Sequence, residues 1–192
     1  MAEKKKKRRG RWSHLQDFYT DLSGKAIYAG KMIRYAGDLP WHDAAVRTGV
    51  LVGAVTACVF AVFWLPAPSM TGVGKHYVVL PLLLEAVGVL LTVWAAARLL
   101  YNGPDLRAYV WDASARKLPW WLEMTAFFAG ASAVCNVIYL AINGFEGKVF
   151  LGLLAVALHI TAVVSALLSI RALRSMTWIA GEGERLPPKS ED

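Results

Sequence analysis

Residues 78–94 read Val78-Val79-Leu80-Pro81-Leu82-Leu83-Leu84-Glu85-Ala86-Val87-Gly88-Val89-Leu90-Leu91-Thr92-Val93-Trp94, and Glu85 is the only charged residue among them. A bilayer-spanning helix needs roughly 20 predominantly apolar residues, and this run with its flanks supplies them. An ionisable group inside such a run is costly, which makes Glu85 a functional candidate from the outset.

Three further runs of the same kind surround it. The apolar blocks cover 46–65, 77–100, 120–142 and 149–172, and 56% of the 192 residues are hydrophobic. That composition, gathered into blocks rather than short amphipathic segments, is too apolar for an ordinary soluble domain. The strict alternation of barrel strands is absent. The sequence therefore predicts an all-α integral membrane protein with four transmembrane helices arranged as two hairpins. The bundle is expected to occupy 40–176.

Lysine and arginine set the orientation. Residues 1–47 carry eleven of them, the middle loop with its flanks four (Arg98, Arg107, Arg116, Lys117) and the tail four (Arg171, Arg174, Arg185, Lys189). The other two loops hold one each, Lys75 and Lys148. Nineteen against two, by the positive-inside rule, places both termini and the middle loop in the cytoplasm.

The net charge of +7 comes mostly from the amino-terminal arm. Residues 1–14 are expected to be a disordered basic arm. Its cluster Lys4, Lys5, Lys6, Lys7, Arg8 and Arg9 is read as a contact for anionic lipid headgroups, at roughly 1 kcal/mol per base near the surface. A nucleic-acid arm is the weaker reading of the same residues once they are joined to a membrane bundle. No apolar stretch directly follows the basic start, which argues against a cleavable signal peptide. A bacterial inner membrane is the expected location.

Residues 15–39 mix aromatic and basic side chains. Leu15, Phe18, Tyr19 and Leu22 recur at helical spacing, and Ile27, Tyr28, Met32, Ile33 and Tyr35 interleave with Lys25, Lys31 and Arg34. This suits an interfacial amphipathic segment lying among headgroups, with a small cytoplasmic cap as the alternative. Pro40 is placed in the first turn of the first spanning helix. In the middle loop, Asp105 is expected to cap a short helix that turns Leu106, Tyr109 and Val110 toward membrane or protein. Residues 177–192 are read as a polar tail.

Each spanning run has two unlike sides. In the first, Gly49, Gly53, Ala57 and Ala61 recur every fourth residue, a series that lets a neighbouring backbone approach closely. In the second, Glu85, Gly88, Thr92, Ala95 and Ala96 share one side, opposite Leu83, Val87, Leu90, Leu91 and Trp94. The third has Thr125, Ser132, Asn136, Tyr139 and Asn143 in a polar stripe, and the fourth has Gly152, Ala155, His159, Ala162, Ala166 and Ser169. Gly88 and Gly152, like the first helix's stripe, are packing candidates.

The two halves also share short matches. Leu39-Pro40-Trp41 opens the first helix as Leu118-Pro119-Trp120 opens the third, and Gly74-Lys75 and Gly147-Lys148 precede the second and fourth. Proline, tryptophan and lysine are common at membrane boundaries, so these matches fit either a parallel internal repeat or chance.

At about 1.5 Å per residue, Asn136, Glu85 and His159 fall at stepped depths in the outer half of the membrane, each on an inward face. A histidine beside a buried carboxylate would hold it ionised, and a group that alternates between charged and neutral serves proton-coupled transport. The competing reading is a hydrogen-bonded set that only fixes helix register. Glu123, near the start of the third helix, reads as structural.

Catalytic signatures are missing: the chain has no HExxH, no Gly-x-Ser-x-Gly, no phosphate-binding glycine loop and no metal-spaced cluster. Cys58 and Cys135 lie in different apolar runs without a CxxC partner, and His159 is the one histidine inside such a run. No metal, haem or other cofactor is expected. The leading expectation is an accessory or scaffolding subunit, not an enzyme, that packs with itself or another membrane protein. The alternative is a small oligomeric proton-coupled transporter using Glu85.

Overall fold

In a computed structural model, the described residues are 18–20, 26–28, 30–67, 76–145 and 147–181. Lys4 to Arg9, the rest of the basic arm, and residues 182–192 lie outside them. The structure is mostly helical, and four helices are long and apolar enough to cross a membrane.

The long helices are α1 (Trp41–Trp64), α2 (His76–Asn102), α4 (Leu118–Asn143) and α5 (Val149–Arg174), with a short α3 (Ala108–Ala113) between α2 and α4. α1 starts ahead of its apolar run. Pro40, at φ −53°, directly precedes the helix, and Asp43 sits in the first turn, where a carboxylate favours the exposed amides. Pro119 takes the second position of α4, where a missing N–H is harmless. Pro81 lies inside α2, one turn past its start, where its missing N–H leaves the Tyr77 carbonyl without its helical donor. α5 ends on Arg171 and Arg174, cations suited to the carbonyl end of a helix.

The four form a ring in the order α1, α2, α4, α5. α4 packs extensively against both α2 and α5, α1 closes the ring against α5, and the seam between α1 and α2 is the slightest. The contact pattern of the first pair is thus unlike that of the α4–α5 pair. Small residues allow the close approach: Ala95 and Ala96 on α2, Ala129 on α4, and Ala162 and Ala166 on α5 are all buried. Leu83, Leu90, Trp94, Phe127 and Phe150 face outward.

A small sheet covers one end of the ring. β3 (Met32–Tyr35) lies between β4 (Asp105–Arg107) and β5 (Trp178–Gly181), antiparallel to both. Ile33 pairs with Leu106 on one side and Ala180 on the other, and Tyr35 pairs with Trp178. The segment before α1, the link between α2 and α3 and the segment after α5 therefore meet at the same end of the bundle. A separate ribbon of β1 (Phe18–Thr20) and β2 (Ala26–Tyr28) sets Phe18 and Tyr28 near the Tyr109 ring. Beneath the sheet, the Trp178 ring lies 4.9 Å from Trp111, 5.5 Å from Tyr35 and 5.9 Å from Trp41. Leu106 and Val110 are buried.

Three local expectations are corrected here. The helical spacing read in 15–39 is not what forms: its described residues hold β1, β2 and β3. The β-branched and aromatic side chains of Met32–Tyr35 suit a pleated surface, and their ladder partners come from 105–107 and 178–181, far away in sequence. Asp105 does not cap a helix. It sits in β4, its carboxylate 2.6 Å from Arg34 Nε directly across the ladder, and Arg107 precedes α3 instead. The hydrogen-bonded Asp105 carboxylate holds the Arg34 guanidinium further above its already high ordinary value. The polar tail expected from 177 onward begins as β5, because the Thr177 carbonyl and the Trp178–Gly181 backbone pair with the β3 segment.

Candidate functional site

Glu85 enters the core from α2, Asn136 from α4 and His159 from α5. They stand nine, seven and ten residues from the helix ends opposite the sheet (His76, Asn143 and Val149). At 1.5 Å per residue those are depths of about 14, 10 and 15 Å. The inward stripes of the three helices converge there, and the side chains are 0%, 1% and 0% exposed.

α2 and α5 are not ring neighbours, so the contact between Glu85 and His159 spans the ring's diagonal. His159 Nδ1 lies 3.0 Å from Glu85 Oε2 and 3.2 Å from Oε1, and hydrogen-bond angles are met at Oε1. Oε2 has no hydrogen-bond partner among the described residues. On the other edge of the ring, His159 Nε2 lies 3.4 Å from Asn136 Nδ2. The same Nδ2 donates to the Ser132 carbonyl at 2.9 Å, one turn back on α4.

The polar interior continues toward the sheet. The Ser132 hydroxyl is buried without a hydrogen-bond partner among the described residues, and Thr92 and Thr125 face each other with their hydroxyl oxygens 3.3 Å apart. Thr125 also donates to the Trp121 carbonyl at 2.9 Å. Thr92 and Thr125 both lie on inward stripes, but no local pattern pairs one with the other.

The packing candidates divide into two groups. Gly88 faces Thr125 across the α2–α4 contact, and a Cβ there would lie 2.7 Å from the Thr125 hydroxyl oxygen. Gly152 faces Leu140 and Phe145, with a Cβ 2.9 Å from the nearest Leu140 methyl. The stripe of Gly49, Gly53, Ala57 and Ala61 does not enter the chain's own core. Gly53, Ala57 and Ala61 are exposed, and the buried face of α1 is Ala44, Thr48, Val52, Val55, Val59 and Val62. Gly49, Gly53 and Ala57 instead line an apolar groove of about 490 Å³ over the α1–α2 seam, with Phe60, Val93 and Leu100.

Of the described histidines, His42 and His76 are exposed at helix ends, and Cys58 and Cys135 are free and half-buried. Among the described residues no three His, Cys, Asp or Glu side chains converge as a metal-ligand set. Glu123 on α4 accepts from Arg174 on α5 at 2.7 Å. The arrangement thus offers two features with chemical content: a buried acid–imidazole–amide set and an outward small-residue groove. No family model matches the chain, no curated protein matches it, and no solved structure matches it. The reading of its role rests on these two features.

Proposed function

We propose that the protein is a non-catalytic, multi-pass membrane subunit that packs with itself or with another membrane protein through the outward face of α1. The observation that supports this reading is the placement of the small-residue stripe. Spacing suited to close helix approach lies outside the chain's own bundle, beside the groove at its loosest seam. A helix seated there would gain dispersion contacts with the α1 backbone without burying any unpaired polar group. In this reading the Lys4–Arg9 cluster lies against anionic headgroups of a bacterial inner membrane, with both termini and the middle loop cytoplasmic.

Gly53→Ile tests it. A Cβ at Gly53 meets nothing within 4 Å, so the branched side chain leaves the chain's own packing alone and fills the groove. In a chain with both native cysteines replaced by alanine, Ala57→Cys should cross-link in native membranes to a second copy or to another protein. Adding Gly53→Ile should abolish the cross-link. Cross-linking that survives Gly53→Ile overturns the proposal.

The buried set at Glu85 favours a second reading, a small oligomeric proton-coupled transporter. An acid and an imidazole in contact within the membrane are the groups such a pathway uses. Glu85→Gln keeps the shape and removes the exchangeable proton. Proton-coupled flux in liposomes should be lost on this substitution, and preserved flux would end this second reading.

A further inference from the structure

We infer that Asn136 fixes the tautomer of His159, so that the cluster is a proton-binding site centred on the Glu85 carboxyl and not a fixed ion pair. Asn136 Nδ2 makes two contacts, 2.9 Å to the Ser132 carbonyl and 3.4 Å to His159 Nε2. Reversing the amide would set its oxygen against the Ser132 carbonyl, acceptor facing acceptor, so the nitrogen stays where it is. Its two hydrogens then point at the carbonyl and at the ring.

Nε2 is therefore the bare nitrogen of His159, and the ring N–H is on Nδ1, facing Glu85. An imidazolium would carry a hydrogen on Nε2 as well, opposed by the amide N–H. A bare carboxylate beside a neutral ring would leave an uncompensated charge in a fully buried place, which is costly. The other titratable side chains at this level of the neighbouring helices are Cys58 on α1 and Cys135 and Tyr139 on α4, and none is a cation. The bases on α2, His76 and Arg98, are 9 and 13 residues away, about 14 and 20 Å at 1.5 Å per residue. Neutrality then places the second proton on Glu85.

Oε1 accepts from Nδ1–H, so the acid hydrogen belongs to Oε2, the oxygen that has no other partner among the described residues. Release breaks one O–H bond at Oε2, and the proton leaves to water as hydronium. The carboxylate left behind already faces the Nδ1–H, so neither ring rotation nor tautomer change is required. Rebinding reverses the same step. Asn136 acts through His159 and is a positioning residue.

Nitrogen-15 NMR of the histidine-labelled full chain in lipid bilayers tests this directly, with His159 assigned by its absence in His159→Gln. The expected spectrum has His159 Nδ1 protonated and Nε2 bare. Infrared spectra should show a carboxylic-acid carbonyl band that Glu85→Gln removes. Asn136→Leu, checked for native helix content, should release the ring to a mixture of tautomers. Protons on both ring nitrogens, or on Nε2 alone, would overturn the inference from the parent spectrum, with no variant needed. The inference rests on the transporter reading only for its use. A protein with the stated tautomer but no proton flux would sink that reading and leave the site intact, whereas an imidazolium spectrum would sink the site whatever the flux.

Discussion

Gly88 on α2 lies against Thr125 on α4 so closely that a Cβ on the glycine would stand 2.7 Å from the threonine hydroxyl and 3.3 Å from its Cα. The second contact is with backbone, which cannot swing aside as a flexible side chain can. Glu85 is less than one turn away on the same helix, so the spacing of α2 and α4 at this point also sets where the carboxyl sits. Gly88→Ala should destabilise the bundle by about 1–3 kcal/mol, the usual range for overpacking. Gly53→Ala adds the same methyl group where nothing lies within 4 Å. It should be neutral or stabilising by up to about 1 kcal/mol, since alanine favours a helix more than glycine does. Thermal unfolding of both variants in the same detergent checks the contrast. Gly88→Ala as stable as the parent would show that the helices separate without cost.

The sheet at the end of the ring should depend on Trp178 more than on its visible ion pair. The ring of Trp178 contacts those of Tyr35, Trp41 and Trp111, contributed by β3, α1 and α3. Aromatic pairs of this geometry contribute about 0.5–1.5 kcal/mol each beyond area burial. Trp178→Ala should therefore loosen the cap by a few kcal/mol at most, reported by faster amide exchange at Ile33 and Tyr35 while the core of α4 stays protected. Arg34 and Asp105 are both well exposed, and screening by salt and water leaves such pairs little weight. The raised Arg34 value means that the guanidinium stays charged through the working pH range and that, on the alkaline side, its share of stability is lost only as pH rises through that value. Arg34→Gln should thus leave exchange at Ile33 nearly unchanged across the working pH range. Unprotected Ile33 in Arg34→Gln, with protection retained in Trp178→Ala, would reverse the assignment.

The membrane helices were legible because each announces itself locally: a long apolar run, with small and polar residues gathered on one side. The stepped depths and inward faces of Glu85, Asn136 and His159 were legible for the same reason, but which of them touch was not. A chain with Glu85 in the middle fits the depths equally well, and it is His159 that stands between the other two. Strand Met32–Tyr35 was not, because its two ladder partners lie more than 70 and 140 residues downstream. Nothing in 30–37 distinguishes a strand awaiting them from a helix lying on headgroups. The stripe at Gly49, Gly53, Ala57 and Ala61 shows a different limit. Its spacing says that something can pack closely there, and the spacing is the same whether the neighbour belongs to this chain or to another.

Because β3, β4 and β5 gather at one end, labelling at two positions suffices to orient the chain. Lys148 lies just before α5 at the end opposite the sheet, and Lys117 lies just before α4 at the sheet end. Both are exposed. With Cys58 and Cys135 replaced by alanine, Lys148→Cys should react with an impermeant thiol reagent added to intact cells. Lys117→Cys should react only after lysis. The opposite result would place the sheet end, where α1 starts and α5 finishes, outside the cytoplasm, against the positive-inside pattern.

The diagonal contact between Glu85 and His159 makes a prediction about stability that is independent of transport. Removing one member of a buried, hydrogen-bonded pair leaves the other's polar group unsatisfied, at a cost of about 1–3 kcal/mol. Replacing both with apolar residues of similar volume can be nearly neutral or stabilising. His159→Leu, which strands the fully buried Glu85 carboxyl, should therefore unfold well below the parent. Adding Glu85→Leu to it should restore most of the loss, even though two polar contacts are then gone. Such a recovery would mean that the pair is retained for something other than stability, because the bundle folds at least as well without it. Denaturant titration of the parent, both single variants and the double variant in mixed micelles closes the cycle. A double variant less stable than His159→Leu alone would show that the pair is a net source of stability, with register as its role.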